Sequence, residues 1–179
     1  MEYGVVLQSD AFRFRAAHFV AFPIRGEGDE GQALAENAQW LGERLHEHDF
    51  HVALRIVGPL DDADCVVDFI AAKRALLKTL KRWDGKTLLA RNTPRARYRE
   101  SPEQDAIEIE WRGAPQPLTF TAPPSSVLWL DATNASAEII AAKLLLEWLD
   151  NATLPFPRDR YSLTLRLEES PGCFVEASL

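Results

Sequence analysis

The 179-residue chain has two cysteines, four histidines and one methionine. Cys65 and Cys173 are too few for a disulfide framework, so a reducing, cytoplasmic setting is the expectation. Basic residues are in the minority: 20 Lys and Arg stand against 27 Asp and Glu, a formal charge of −7. Phosphate backbones and anionic lipid surfaces attract proteins with a basic excess, so neither nucleic acid nor a membrane is the expected partner. No apolar run reaches the roughly 18–20 residues that span a bilayer. The opening MEYGVVLQSDAFRFR has no basic stretch followed by an apolar one, and no signal peptide is expected. Internal repeats and low-complexity tracts are also missing.

What is present fits one globular domain over residues 1–179, with 46% hydrophobic and 26% charged residues. The first segment, residues 3–20, alternates as a strand, with Phe12, Phe14, Ala16 and His18 on one face and Arg13, Arg15 and Ala17 on the other. IRGEGDEG is loop-like. Leu34, Trp40, Leu41 and Leu45 are spaced for a short helix after it. Residues 46–57 return to strand alternation, with His48, Phe50, Val52, Leu54 and Ile56 sharing a face and His51 opposite.

Asp68 then stands as an N-cap before a helix carrying Phe69, Ala72, Leu76, Leu77, Leu80 and Trp83 at helical spacing. Lys73, Arg74, Lys78, Lys81 and Arg82 form its solvated face and suit its C-terminal half. Residues 85–106 are basic and read as irregular. IEIEW, RGAPQ and PLTF read as a β-hairpin. Asn134 or Ser136 caps a second helix over AEIIAAKLLLEWLDN, where Glu138 sits near the capping-box position. Tyr161, Leu163, Leu165 and Leu167 point inward from a late strand, and CFVEA closes a hairpin after Pro171 and Gly172. The expected class is α+β: an antiparallel sheet with two helices on one face, in the order ββααββ with an inserted hairpin.

The chemistry gathers on the histidines. His46 and His48 are two apart in a strand, so both imidazoles leave the same face. His18 lies on the apolar face of the first strand. If the two strands pair, three imidazoles converge, leaving an open position for a substrate oxygen or water, as at a catalytic zinc. His-x-His alone is weak evidence for a metal, and plain surface strand histidines are its commoner reading.

The motifs FRAAHF (14–19), RLHEHDFHV (44–52), GPLDDADCVVDF (58–69), WDGKTLL (83–89) and NASAEIIA (134–141) add order and spacing. Together they resemble the 6-pyruvoyl-tetrahydropterin synthase and 6-carboxytetrahydropterin synthase family, which has the tunnelling (T-fold) architecture. The resemblance is to a longer subgroup with an insertion, which residues 90–125 would supply. It implies zinc on His18, His46 and His48, and a dihydropterin substrate such as 7,8-dihydroneopterin triphosphate. Glu168 matches the late-strand glutamate that anchors the pterin, where a carboxylate can accept paired N–H donors. A turn role for Glu168 or Glu169 is the competing reading. Ser136 and Glu138 match the helix start that lines the pterin pocket, although capping would equally explain Glu138. Asp84 matches an aspartate that supports proton transfer. The resemblance also implies a homo-oligomer, a trimer or hexamer, with sites shared between subunits.

Two departures stand out. The family's nucleophile-like cysteine is Gly42 here, and the histidine expected after Asp84 is Gly85. Neither glycine can move a proton. Cys65 and Cys173 fall at positions that read as small structural residues. Glu43 makes a Glu-x-x-His-x-His pattern that resembles a branch using glutamate in place of the cysteine. That branch is associated with cleaving the side chain of dihydroneopterin triphosphate. A carboxylate there can serve as general base if burial brings its pKa toward neutrality; a solvated helix-end or loop residue is the plain alternative. Three functions stay open: a zinc-dependent lyase, a degenerate homologue that binds metal and pterin without turnover, and a metal-free interaction domain. The basic stretch RNTPRARYR is either an access patch for a triphosphate or a solvated loop.

Overall fold

A computed structural model describes residues 2–24, 39–101, 103, 105–113 and 116–179. The chain falls into two compact units. The first comprises Met1–Ala16, Glu47–Gly85 and Ala137–Leu179, and the second Ala17–His46 and Lys86–Ser136.

In the first unit the strands run in the order β11 (Cys173–Ser178), β10 (Ser162–Ser170), β4 (His46–Gly58) and β1 (Tyr3–His18). β10 pairs antiparallel with both β4 and β11. The alternation read from the sequence is the burial pattern observed. Phe12, Phe14 and Ala16 of β1 are buried, as are Phe50, Val52, Leu54 and Ile56 of β4 and Leu163, Leu165 and Leu167 of β10. Phe14 stacks on Phe50 with ring centroids 5.0 Å apart, and Trp83 meets Phe14 edge-on at 5.9 Å.

Two helices cover this face. α1 (Phe69–Trp83) starts where the Asp68 carboxylate accepts from the Ile70 and Ala71 backbone N–H groups, which satisfies two otherwise orphaned donors. α2 (Ala137–Asn151) packs on β10, β11 and α1. The Trp148 indole N–H donates to the Ala72 carbonyl at 3.3 Å, and the Trp83 indole to Glu147 at 3.0 Å. Both large rings are thereby buried with their polar edges satisfied. Phe69 and Leu77, placed on the apolar face of α1 by spacing, are exposed, and Ala75 and Thr79 are buried instead. The buried stripe is rotated toward the small residues that let α1 and α2 approach.

The second unit has its own core of Phe19, Ala21, Leu89, Ile107, Ile109, Trp111 and Ala122. Short strands β2 (Ala21–Pro23) and β3 (Trp40–Gly42) pair antiparallel. The helix expected around Trp40 and Leu45 is therefore corrected: Trp40, Leu41 and Gly42 are extended, with Trp40 turned to the core and Leu41 outward. Leu34 and the rest of that expected helix lie outside the described residues.

Residues 85–106 are not irregular either. β5 (Lys86–Ala90) pairs parallel with β9 (Val127–Leu130), and Leu88, Leu89 and Ala90 form the continuous apolar run of a strand covered on both faces. β6 (Ala96–Ser101) joins β7 (Ala106–Trp111) and β8 (Leu118–Ala122) in an antiparallel sheet. The expected β7–β8 hairpin is thus two strands of three. Arg97 and Arg99 stand opposite Glu110 and Glu108, so two arginines of the basic stretch face acids across the strand pair. The α+β class with two helices and an antiparallel sheet holds, with these extra strands and one parallel pair. Cys65, expected as a small core residue, is exposed, in a turn held by the Asp61 carboxylate, and Cys173 is exposed too.

Candidate metal centre

β1 ends on His18, and β4 opens on His46 and His48. Their ligating atoms all lie within 4.8 Å of one another. His18 is buried, while the other two are half-buried. The rings of His18 and His46 are 4.7 Å apart by centroid.

Backbone carbonyls orient two of the rings. His18 Nδ1 lies 2.7 Å from the Ala135 carbonyl, and His46 Nδ1 lies 2.7 Å from the Arg44 carbonyl. A carbonyl only accepts, so each Nδ1 carries the hydrogen. In a neutral ring Nε2 then keeps its lone pair, the tautomer a metal ligand needs. Three imidazoles this close, two with the tautomer fixed, fit a divalent ion of the zinc type.

Ala135 immediately precedes Ser136, so the lead-in to α2 fixes His18. Asn134 is set by a reciprocal pair of bonds: its side chain accepts from the Ala21 N–H and donates to the Ala21 carbonyl, both at 3.0 Å. Asn134 therefore ties the α2 lead-in to β2 rather than capping the helix. Ser136 is half-buried next to this anchor, and Glu138 is exposed in the first turn of α2.

The carboxylates divide into groups. Glu43 Oε2 is 3.9 Å from His46 Nε2, and the Glu43 backbone N–H donates to Val20 at 3.0 Å. Glu169 Oε1 is 3.8 Å from His48 Nε2. Glu168 faces the other way: it stands opposite His51 and shares a cleft of about 560 Å³ with His51, Arg166 and Asp10. One of its oxygens accepts from the Gly172 N–H at 2.9 Å. A register shift between Glu168 and Ser170 separates the two glutamates, as a β-bulge does. Alternation carries Glu169 to the same face as Leu163, Leu165 and Leu167, the side on which it meets His48, and leaves Glu168 on the opposite one.

Asp84 ends α1, and its Oδ1 accepts from the Arg15 N–H at 2.9 Å while Gly85 N–H donates to the Arg15 carbonyl at 2.7 Å. Gly85 has a φ of +69° and no heavy atom within 4 Å of where its Cβ would lie. Asp84 is therefore pinned to β1 close in sequence to His18. No hydrogen bond joins it to a histidine among the described residues.

Residues 8–178 match the family described as 6-pyruvoyl tetrahydropterin synthase. A search of curated proteins finds no match. Among solved structures, the chain is similar to 6-pyruvoyl tetrahydropterin synthase from Plasmodium vivax, with 22% identity, a TM-score of 0.79, and coverage of 100% of this chain and 98% of that one. Another structure of the P. vivax protein carries alanine in place of a catalytic glutamate, at 21% identity, a TM-score of 0.79 and the same coverage. The Plasmodium falciparum protein gives 19% identity and a TM-score of 0.78 over 99% of this chain and 98% of that one. At these identities the structural likeness shows the fold, and the family match across nearly the whole chain shows the rest: the chain belongs to the 6-pyruvoyl tetrahydropterin synthase family and has its T-fold.

Proposed function

We propose that this protein is a zinc-dependent lyase acting on a 6-substituted dihydropterin such as 7,8-dihydroneopterin triphosphate. The observation that carries the reading is the cluster of three imidazoles with Glu43 at 3.9 Å from His46 Nε2. His18, His46 and His48 would hold the ion, which when bound supplies Lewis-acid polarisation of a substrate oxygen.

Glu43 is the acid–base group of this reading. It is exposed, fixed at its backbone, and placed beside a metal-site imidazole, where it can take a proton from the substrate side chain. The P. vivax structure with a substituted catalytic glutamate supports a carboxylate in such a role. Asp84 is assigned a supporting part through its hold on the Arg15 backbone. The family resemblance assigns Glu168 to the pterin, but in this chain it faces the cleft with Arg166 and His51, away from the three imidazoles, and Glu169 is the late-strand carboxylate beside His48. Ser136 and Glu138, at the start of α2, are assigned to the pocket wall. The assembly belonging to this reading is a homo-oligomer, a trimer or hexamer, in which neighbouring chains complete the pterin pocket. A cytoplasmic setting and small-molecule rather than nucleic-acid or membrane partners complete it. Among the described residues no helix is long and apolar enough to cross a membrane.

Gly42 and Gly85 favour a second reading, a homologue that holds metal and pterin without turnover. One experiment separates the two. Purified protein is assayed for zinc and for product from dihydroneopterin triphosphate, beside Glu43→Ala. Turnover that falls at least about 100-fold in a variant that keeps its zinc supports the lyase. Stoichiometric zinc with no product from the wild type would replace it with the binding-only reading.

A further inference from the structure

The indole of Trp111 occupies the space where a side chain at position 42 would go. Trp111 ends β7, is 1% exposed, and donates its Nε1–H to the Pro94 carbonyl at 2.9 Å. Its ring lies 6.5 Å from that of Phe19 by centroid. A Cβ on Gly42 would overlap Trp111 Cη2 and Cζ3 and lie 2.8 Å from Cζ2, and a Cβ on Gly113 would overlap Cη2 of the same ring. Carbon pairs sit at about 3.5–4.0 Å when in contact, so both positions are closed by the far edge of one indole. Neither glycine has a positive φ, in contrast to Gly85 and Gly172. The backbone at 42 would accept any residue. The requirement for glycine there is steric, and its source is Trp111.

Position 42 immediately precedes Glu43, the carboxylate beside His46. We propose that Trp111 is the residue that determines what can stand at position 42: it closes that place to a thiol and leaves Glu43 as the acid–base group there. The consequence for Glu43 rests on the function proposed above; the exclusion itself rests on the packing. A thiol at 42 would stand one residue from Glu43, with an ordinary pKa near 8.5 against about 4.3 for a glutamate. Trp111 therefore selects carboxylate chemistry by volume.

The test uses the full chain with the exposed Cys65 and Cys173 replaced by serine. Four proteins are compared: this parent, Gly42→Cys, Trp111→Leu, and both together. Overpacking lowers the melting temperature of Gly42→Cys by roughly 5–10 °C, and the cavity left by Trp111→Leu costs a similar shift. The combined variant melts no lower than Trp111→Leu alone, because the thiol enters the space the ring has left. Losses that simply add would overturn the proposal. If Gly42→Cys does not accumulate, Gly42→Ala in the two backgrounds gives the same comparison. In the combined variant, iodoacetamide alkylates the introduced thiol, and one equivalent of zinc slows this about tenfold through thiolate ligation. His46→Ala removes the protection. Equal alkylation rates with and without bound zinc would place position 42 away from the metal and sink the proposal. If Glu43→Ala retains full turnover, the role of Glu43 falls, while the melting comparison still decides the exclusion.

Discussion

His18 and His46 are held by the same device, a backbone carbonyl 2.7 Å from Nδ1. The ring that loses such a support would still be an imidazole, but its orientation would be free. The ligands themselves are less forgiving: His46→Ala removes one of three nitrogens, and bound zinc should fall from about one per chain to background by elemental analysis. Retained zinc in that variant would place the metal elsewhere. Tyr98 gives a residue-scale prediction away from the site. Its hydroxyl donates to the Ala90 carbonyl at 2.7 Å, and burial, offset in part by a hydrogen bond with Thr93, raises its pKa above 10.0. A folded pKa above the unfolded value favours the protonated form in the native state. The stabilisation is complete below pH about 10 and is lost as pH climbs toward the raised value. Tyr98→Phe should therefore cost about 1 kcal/mol at pH 7 and flatten the decline above pH 10, read from urea midpoints across pH. A decline as steep as wild type would remove Tyr98 as its cause. The three histidines are legible from spacing and motif, because strand alternation fixes which side chains share a face. Glu169 continues the inward alternation of Leu163, Leu165 and Leu167, yet no motif marks it as a site residue, so only the structure brings it to His48. Gly42 is visible as a departure, yet its cause lies in Trp111, far along the chain.

At the scale of elements, legibility follows periodicity. α1 can be read with its cap because Asp68 precedes a clean amphipathic run, and the carboxylate does accept the first-turn N–H groups. Asp68→Ala should cost about 1 kcal/mol with no change in zinc content; an unchanged urea midpoint would mean the cap is energetically silent. α2 packs on β10, β11 and α1, and its Leu144 is fully buried. Leu144→Ala should cost about 2–5 kcal/mol. β5 is hidden in the sequence because an apolar run flanked by basic residues has no period. β6 is hidden for a different reason: its alternation of Ala96 and Tyr98 against Arg97 and Arg99 is present, but the density of charge suggests a loop. Only the structure shows that those arginines stand across from Glu110 and Glu108. β3 reads as helix from spacing because three residues are too few to separate a period of two from one of 3.6.

For the whole molecule, metal and assembly make separate claims. A ligand that binds only the folded state stabilises it in proportion to the logarithm of its concentration over its Kd. Zinc at about a thousandfold over Kd should add about 4 kcal/mol, raising the melting temperature of the wild type but not of His46→Ala. Assembly is argued from the sheet edge. β11 pairs with β10 on one side and ends the strand order on the other, with Phe174 and Leu179 exposed beside it. An exposed edge is a template for another strand unless it is blunted or covered. Arg166 stacks on one face of the Phe174 ring at 3.4 Å, which leaves the ring exposed and the strand's outer edge uncovered. A neighbouring copy of the chain is the natural cover. Sedimentation should give a mass that is a multiple of three chains of 20.1 kDa, unchanged by removing zinc if strand pairing rather than metal holds the ring. A monomer at micromolar concentration would sink the assembly, and with it the assignment of the pterin pocket to more than one chain.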